Sequence, residues 1–233
     1  MRKSHESLRV DVLSRSKKRI KVGETPLPEK NTPNPRQIAL AAVMTAVTAV
    51  VTMITGSFVP FPATGGYLNL GDSMVMLSGL LFGASIGGFA GGVGSMLSDV
   101  LLGYGYFAPL TLFIKGTEGF LAGLIGNSTR LPRKLSGVIS AAFAMLAGYF
   151  LVETPLKGIG AALGELVAIN SIQVTVGAIV ALALAQAILR AYPEVESFRP
   201  NEQKLKTGIV FVVAAAIVLA VIVGTYLLTG ISP

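Results

Sequence analysis

Apolar positions along this chain gather into long runs separated by short polar stretches. Runs at 38–55, 108–125, 135–152, 169–189 and 208–228 each come close to the ~20 residues needed to cross a bilayer's hydrocarbon. Residues 71–102 are apolar almost throughout, too long for one ordinary span. Glycine and serine interrupt that run over 82–88, so it reads either as one tilted helix or as two short helices joined by a tight turn. A loop at 56–70 carries Pro60, Pro62, Gly65 and Gly66. Residues 1–35 are polar, basic and dotted with proline. They read as a mostly disordered tail able to touch anionic headgroups, and with no apolar segment after the basic start they are not read as a signal peptide.

The placement of positive charge decides between the two readings of 71–102. Ten of the 19 Lys and Arg precede the first span; Arg130, Arg133 and Lys134 form one later loop, and Arg190, Arg199, Lys204 and Lys206 another. Two helices within 71–102 put these three groups on one side of the membrane, leaving Lys157 opposite and Lys115 inside a span. A single helix would split the groups. Because cytoplasmic loops concentrate Lys and Arg, the sequence predicts a hairpin and seven spans in a cell-membrane protein. Its N-terminus is then cytoplasmic and its C-terminus outside.

Composition agrees and narrows the chemistry. The chain is 52% hydrophobic and 13% charged, with mean hydropathy +0.68, against roughly 25% charged residues in soluble domains. The fold class expected is therefore an all-α integral membrane protein. With no cysteine, and with His5 the single histidine, thiol chemistry, histidine catalysis and a metal centre in the membrane are not expected. The net charge of +7 follows membrane sidedness, so no nucleic-acid partner is expected. No G-x-x-x-x-G-K-[ST] phosphate loop occurs, so any energy input comes from an ion gradient or another subunit. Neither enzymatic activity nor a cofactor is expected.

Charges inside spans are costly and usually face a cavity or a partner. Here they are Asp99, Lys115 and Glu118, with Asp72 opening the second span. Counted at ~1.5 Å per residue, Asp99 lies about one turn from the outer end of its helix. Lys115 lies ~10 Å in, Glu118 nearer the midplane and Asp72 at the outer mouth. Asn170 and Gln173 begin the sixth span on the same side, near Tyr67, Asn69, Tyr104 and Tyr106. This convergence predicts a small-molecule pocket open to the outside. Lys115 and Glu118, three apart, could instead form a neutralising intrahelical pair, and Asp72 could simply favour a helix N-terminus. Asn170 and Gln173 could serve only as helix–helix hydrogen-bond partners. Glu153, Lys157 and Glu165 read as a solvated outer loop. Gly83, Gly87 and Gly91, Gly88 with Gly92, and Gly119 with Gly123 give GxxxG spacings for close helix packing. Ala39, Ala42, Ala46 and Ala49 share one face of the first span, suited to internal packing or to a partner.

The run Gly66-Tyr-Leu-Asn-Leu-Gly-Asp72, then Leu80-Leu-Phe-Gly83, Gly91-Gly-Val-Gly-Ser-Met-Leu-Ser-Asp99 and Ala108-Pro-Leu-Thr-Leu-Phe-Ile-Lys-Gly-Thr-Glu-Gly119 resembles the substrate-binding S components of energy-coupling factor (ECF) vitamin importers, riboflavin-type branch, over about 36–189. The resemblance implies a six-helix S-component-like bundle, here with one additional C-terminal transmembrane helix. It implies capture of a vitamin or precursor from outside and docking onto a transmembrane coupling subunit driven by two ATPase subunits. Ala42 and Ala46 map to the docking face, and residues 57–70 to the loop that covers the ligand. The expected organisation is a tail (1–35), a substrate-binding membrane domain (36–190), a cytoplasmic loop (191–207) and the extra helix (208–229). The substrate-binding candidates are Tyr67, Asn69, Asp72, Asp99, Tyr106, Lys115, Glu118, Asn170 and Gln173. A solitary secondary carrier and a non-transporting membrane scaffold are the alternatives.

Overall fold

The computed structural model describes residues 35–58, 60–61, 66–67 and 69–198. The expected tail, the far part of the 191–207 loop and the seventh span lie outside the described residues. Helix α1 (Pro35–Phe58) leads into a short antiparallel pairing of β1 (Pro60–Phe61) with β2 (Gly66–Tyr67), Pro60 opposite Tyr67. Then come α2 (Gly71–Phe82), α3 (Ala84–Leu102), α4 (Ala108–Gly126) and α5 (Leu131–Lys157). Helix α6 (Ile159–Glu165) continues through a π-helical turn (Leu166–Asn170) into α7 (Ser171–Ala191), followed by a 3-10 turn at Pro193–Phe198. Among the described residues, five helical stretches are long and apolar enough to cross a membrane, Ile159–Ala191 acting as one, and α2 is a shorter apolar helix.

The 71–102 run is a hairpin. Gly83 breaks it with φ 88° and ψ 177°, a conformation that side chains with a Cβ rarely adopt. The chain reverses there so sharply that a Cβ on Gly87 would stand 2.6 Å from Gly79 Cα. In a continuous helix those residues would be ~12 Å apart. Asn127 Nδ2 donates to the Leu80 carbonyl at 3.1 Å, satisfying one of the carbonyls left open where α2 ends.

Helix α2 is the centre of the bundle. It packs against α1, α3, α4 and α7, and all of its residues except Met74 are buried. A helix apolar on every side needs such a position. Around it, α3 and α4 meet backbone to backbone: a Cβ on Gly91 would lie 2.7 Å from the Lys115 carbonyl oxygen, and one on Gly92 2.6 Å from that of Leu112. The glycine spacings seen in the sequence are thus this helix–helix seam. Ile38, Val43, Val50 and Ile54 of α1, Phe89 and Val100 of α3, and Ile139, Phe143 and Leu151 of α5 point outward, as lipid-facing side chains do. On α1, Ala49 is buried, whereas Ala39, Ala42 and Ala46 are exposed. Internal packing therefore does not account for Ala42 and Ala46.

Two boundaries differ from the sequence reading. Helix α5 runs to Lys157 and α6 starts at Ile159, so a single residue, Gly158 with φ 84°, joins them. The solvated loop expected around Glu153, Lys157 and Glu165 is not there. Those charges pair with one another, which makes the burial of both carboxylates tolerable.

Candidate substrate-binding site

Buried polar groups collect at the end of the bundle where α1, α3 and α5 finish and where α2, α4 and α6 begin. Arg130, Arg133, Lys134 and Arg190 lie at or near the opposite helix ends. The core of the polar end is a chain of contacts across four elements. The Lys115 ammonium on α4 contacts the Asp72 carboxylate on α2 and donates to Glu118 Oε2 at 3.0 Å. Gln173 Nε2 on α7 donates to both Asp72 oxygens at 3.2 Å. Gln173 Oε1 accepts from the Asn69 backbone N–H at 3.0 Å and from Asn69 Nδ2 at 3.2 Å. Asn69 Oδ1 accepts from the Gly71 N–H at 2.7 Å, tying the chain to the start of α2. Gly177 makes room for it, since a Cβ there would fall 2.7 Å from Asp72 Cβ. Lys115 is 4% exposed, Asp72 and Glu118 0%. Such burial is tolerable only because cation and anions meet directly.

Above this chain a cavity of about 70 Å³ opens between the helices, several times the ~10–15 Å³ that seats one water. Its lining comes in steps of four residues, the spacing that keeps side chains on one helix face. Helix α3 supplies Ser95 and Asp99; Phe107, at the entry to α4, continues through Thr111 to Lys115; α5 supplies Tyr149, Glu153 and Lys157. Thr52 enters from α1, Asn69 from the loop, Tyr104 from the turn after α3, and Glu165, Asn170 and Gln173 from the α6–α7 stretch. The π turn adds a residue just before Asn170, and Ser171 Oγ donates to the Leu166 carbonyl there at 2.6 Å. Such turns are frequent at functional sites.

At the rim, Lys157 Nζ stands 3.2 Å from Glu165 Oε1 and 3.6 Å from Glu153 Oε1, and 4.7 Å from the centroid of the Phe107 ring. Deeper in, Lys115 Nζ lies 5.6 Å from the Tyr149 ring centroid, and Tyr149 Oη donates to Thr111 Oγ1 at 3.3 Å. Three buried polar atoms of lining residues have no hydrogen-bond partner among the described residues: Thr52 Oγ1, Glu153 Oε2 and Asn170 Nδ2. Burying such atoms unpaired costs ~1–3 kcal/mol each, so they are places where a bound molecule gains. Among the described residues no cluster of His, Cys, Asp and Glu is arranged to hold a metal.

Of the candidates read from sequence, Asn69, Asp99, Lys115, Asn170 and Gln173 line the cavity. Asp72 and Glu118 stand behind Lys115 rather than in the lining. Asp72 is not at a mouth: α2 has 12 residues against 19 in its hairpin partner, so it starts ~10 Å below the end of α3. Tyr106 is misplaced by the sequence reading. It is 65% exposed, its ring tilted against Phe107 at 4.7 Å, because the turn after α3 directs Tyr104 and Phe107 inward and Tyr106 away. Tyr67 is described through its backbone alone. Sequence reasoning passed over Thr52, Ser95, Phe107, Thr111, Tyr149, Glu153, Lys157 and Glu165. The signal for several of them was the four-residue step from Asp99, Lys115 and Lys157.

The comparisons with known proteins identify the family. The family described as "ECF-type riboflavin transporter, S component" matches residues 32–190. The thiamine precursor transporter HmpT of Lactococcus lactis subsp. cremoris is 32% identical over 160 residues, covering 67% of this chain and 90% of that protein. An uncharacterized protein of Pyrococcus woesei is 48% identical over 108 residues, which is 46% of this chain and 72% of that one. The chain belongs to the family of ECF-type riboflavin transporter S components, multi-pass membrane subunits of vitamin-type transporters.

Proposed function

We propose that this chain is the substrate-capture subunit of an ATP-driven importer and binds a vitamin or vitamin precursor in the cavity at its polar end. The observation that carries the reading is the one-ended distribution of polarity: every lining residue lies toward one end of the bundle, and the basic loop residues lie at the other. By the positive-inside rule the cavity end faces the exterior. Asn69, Asp99, Lys115, Asn170 and Gln173 contact ligand, Asp72 and Glu118 hold Lys115 in place, and Tyr67 belongs to the loop over the cavity. The exposed Ala42 and Ala46 face of α1 docks on a transmembrane coupling subunit, with ATP hydrolysis on two further subunits. The purified full chain should bind about one equivalent of a B-type vitamin or precursor without nucleotide. No stabilisation by any member of a vitamin panel would overturn the proposal.

The buried Asp72–Lys115–Glu118 cluster favours a second reading, a solitary carrier in which these groups relay a cation. Proteoliposomes containing this chain alone separate the two. Uptake that an ionophore collapses supports the carrier; uptake appearing only with a coupling module supports capture.

A further inference from the structure

The rim of the cavity carries a feature that general vitamin capture does not require. Glu153 and Glu165 are 4% and 3% exposed, yet a single ammonium, that of Lys157, lies between them and over the Phe107 ring. Two carboxylates and an aromatic face are the surroundings that recognise an organic cation. The remaining oxygen of Glu153 has no hydrogen-bond partner among the described residues. The other lysine in the lining, Lys115, is already committed to Asp72 and Glu118. The lining thus contains two ammonium groups, each shared between two carboxylates. A phosphate ester entering it would have to stand among Asp99, Glu153 and Glu165.

Resting on the capture reading, we propose that the site selects a flat, unphosphorylated ligand bearing a positive charge, and that the Lys157 ammonium occupies the place of that charge until ligand arrives. Lys157 is the last residue of α5, immediately before the left-handed Gly158, and its side chain is 16% exposed. Its long stem can swing the ammonium outward without disturbing a helix. The incoming cation then takes the Glu153–Glu165–Phe107 cage. Asn170 Nδ2 donates to an acceptor on the ligand, Thr52 Oγ1 takes a further polar group, and the Tyr149 and Phe107 rings flank the flat body. Lys157 therefore lowers the affinity for the cation it mimics and sets the threshold for binding.

The test uses the full chain in detergent, with calorimetric titration of matched probes. Pyridoxamine and pyridoxine differ by an aminomethyl cation against a neutral hydroxymethyl group. Thiamine and its 4-amino-5-hydroxymethyl-2-methylpyrimidine half differ by the thiazolium. Riboflavin and thiamine monophosphate complete the set. The cationic member of at least one pair should bind tenfold or more tightly than its neutral partner. Lys157→Ala should widen that ratio by strengthening the cation alone, and Glu153→Gln should reduce it below about threefold. Glu165→Gln should do the same and serves if the Glu153 variant does not fold. Neither cationic probe binding more tightly than its neutral partner, or riboflavin binding most tightly of all the probes, overturns the inference and leaves capture standing. So does thiamine monophosphate binding best, with Lys157→Ala losing it. No binding by any probe overturns capture and the inference together.

Discussion

Replacing Lys115 with methionine tests whether the ionic cluster has the burial and the partners described. In the native chain the Lys115 ammonium faces Asp72 and Glu118, both fully buried. Methionine keeps most of the side-chain volume and removes the charge. Asp72 would keep its two contacts from Gln173 Nε2. Glu118 would keep no hydrogen-bond partner among the described residues, because Oε1 already lacks one and Oε2 loses the lysine. Breaking a buried pair by removing one member costs ~3–5 kcal/mol, whereas replacing a whole buried ionic group by uncharged isosteres is often neutral or stabilising. At ~2–4 °C per kcal/mol for a chain of this size, Lys115→Met should melt ~6–20 °C lower. The triple variant Asp72→Asn, Lys115→Met, Glu118→Gln should return most of that loss. With no tryptophan or cysteine in the chain, ellipticity at 222 nm in detergent is the suitable readout. A single variant melting within about 2 °C of the native chain would show that the three groups are solvated, well below the shift expected from their burial. A triple variant as unstable as the single one would show that charge compensation is not what Lys115 provides. Ligand affinity then separates structure from recognition: a stable triple variant that still binds ligand normally would remove Lys115 from the binding set.

The absence of native cysteine makes sidedness directly measurable. Single-cysteine variants at Tyr106 and at Arg133 should be labelled by a membrane-impermeant maleimide from opposite sides, Tyr106→Cys from outside and Arg133→Cys only after permeabilisation. The reverse pattern would turn the cavity toward the cytosol and end the capture reading. On the exposed face of α1, Ala46→Trp adds a bulky apolar group that lipid tolerates but a closely approaching helix does not. Ligand binding by that variant should stay within about twofold of native, while uptake with a coupling module falls at least tenfold. Unchanged uptake would remove Ala46 from the docking face.

Much of the fold could be read from the chain because membrane-spanning helices announce themselves locally. A run of apolar residues of the right length, a glycine break at Gly83 and the grouping of Lys and Arg need no knowledge of what packs on what. The same holds for the one-ended polarity, since counting residues from a helix end gives depth. That count failed for Asp72 because it assumes that all helices start at one level, and the short central α2 does not. The solvated loop expected around Glu153, Lys157 and Glu165 failed for a different reason: Pro155, Gly158, Gly160 and Gly164 beside three charges have the composition of a loop. What that composition conceals is a pairing of the three charges: Lys157 reaches back to Glu153 one turn earlier in α5 and across Gly158 to Glu165. Each charge alone would be pulled toward water, and together they can be buried at the rim. The Lys115–Glu118 pair carries the same lesson in reverse. Its three-residue spacing was visible and the pair is real, but Asp72, 43 positions away, and Gln173, on the last described span, turn a local neutralisation into a contact chain joining α2, α4 and α7. A single helix can show that its charges are paired, while only the packed bundle shows which polar atoms are left without partners among the described residues, and those of Thr52, Glu153 and Asn170 belong to the lining of the cavity.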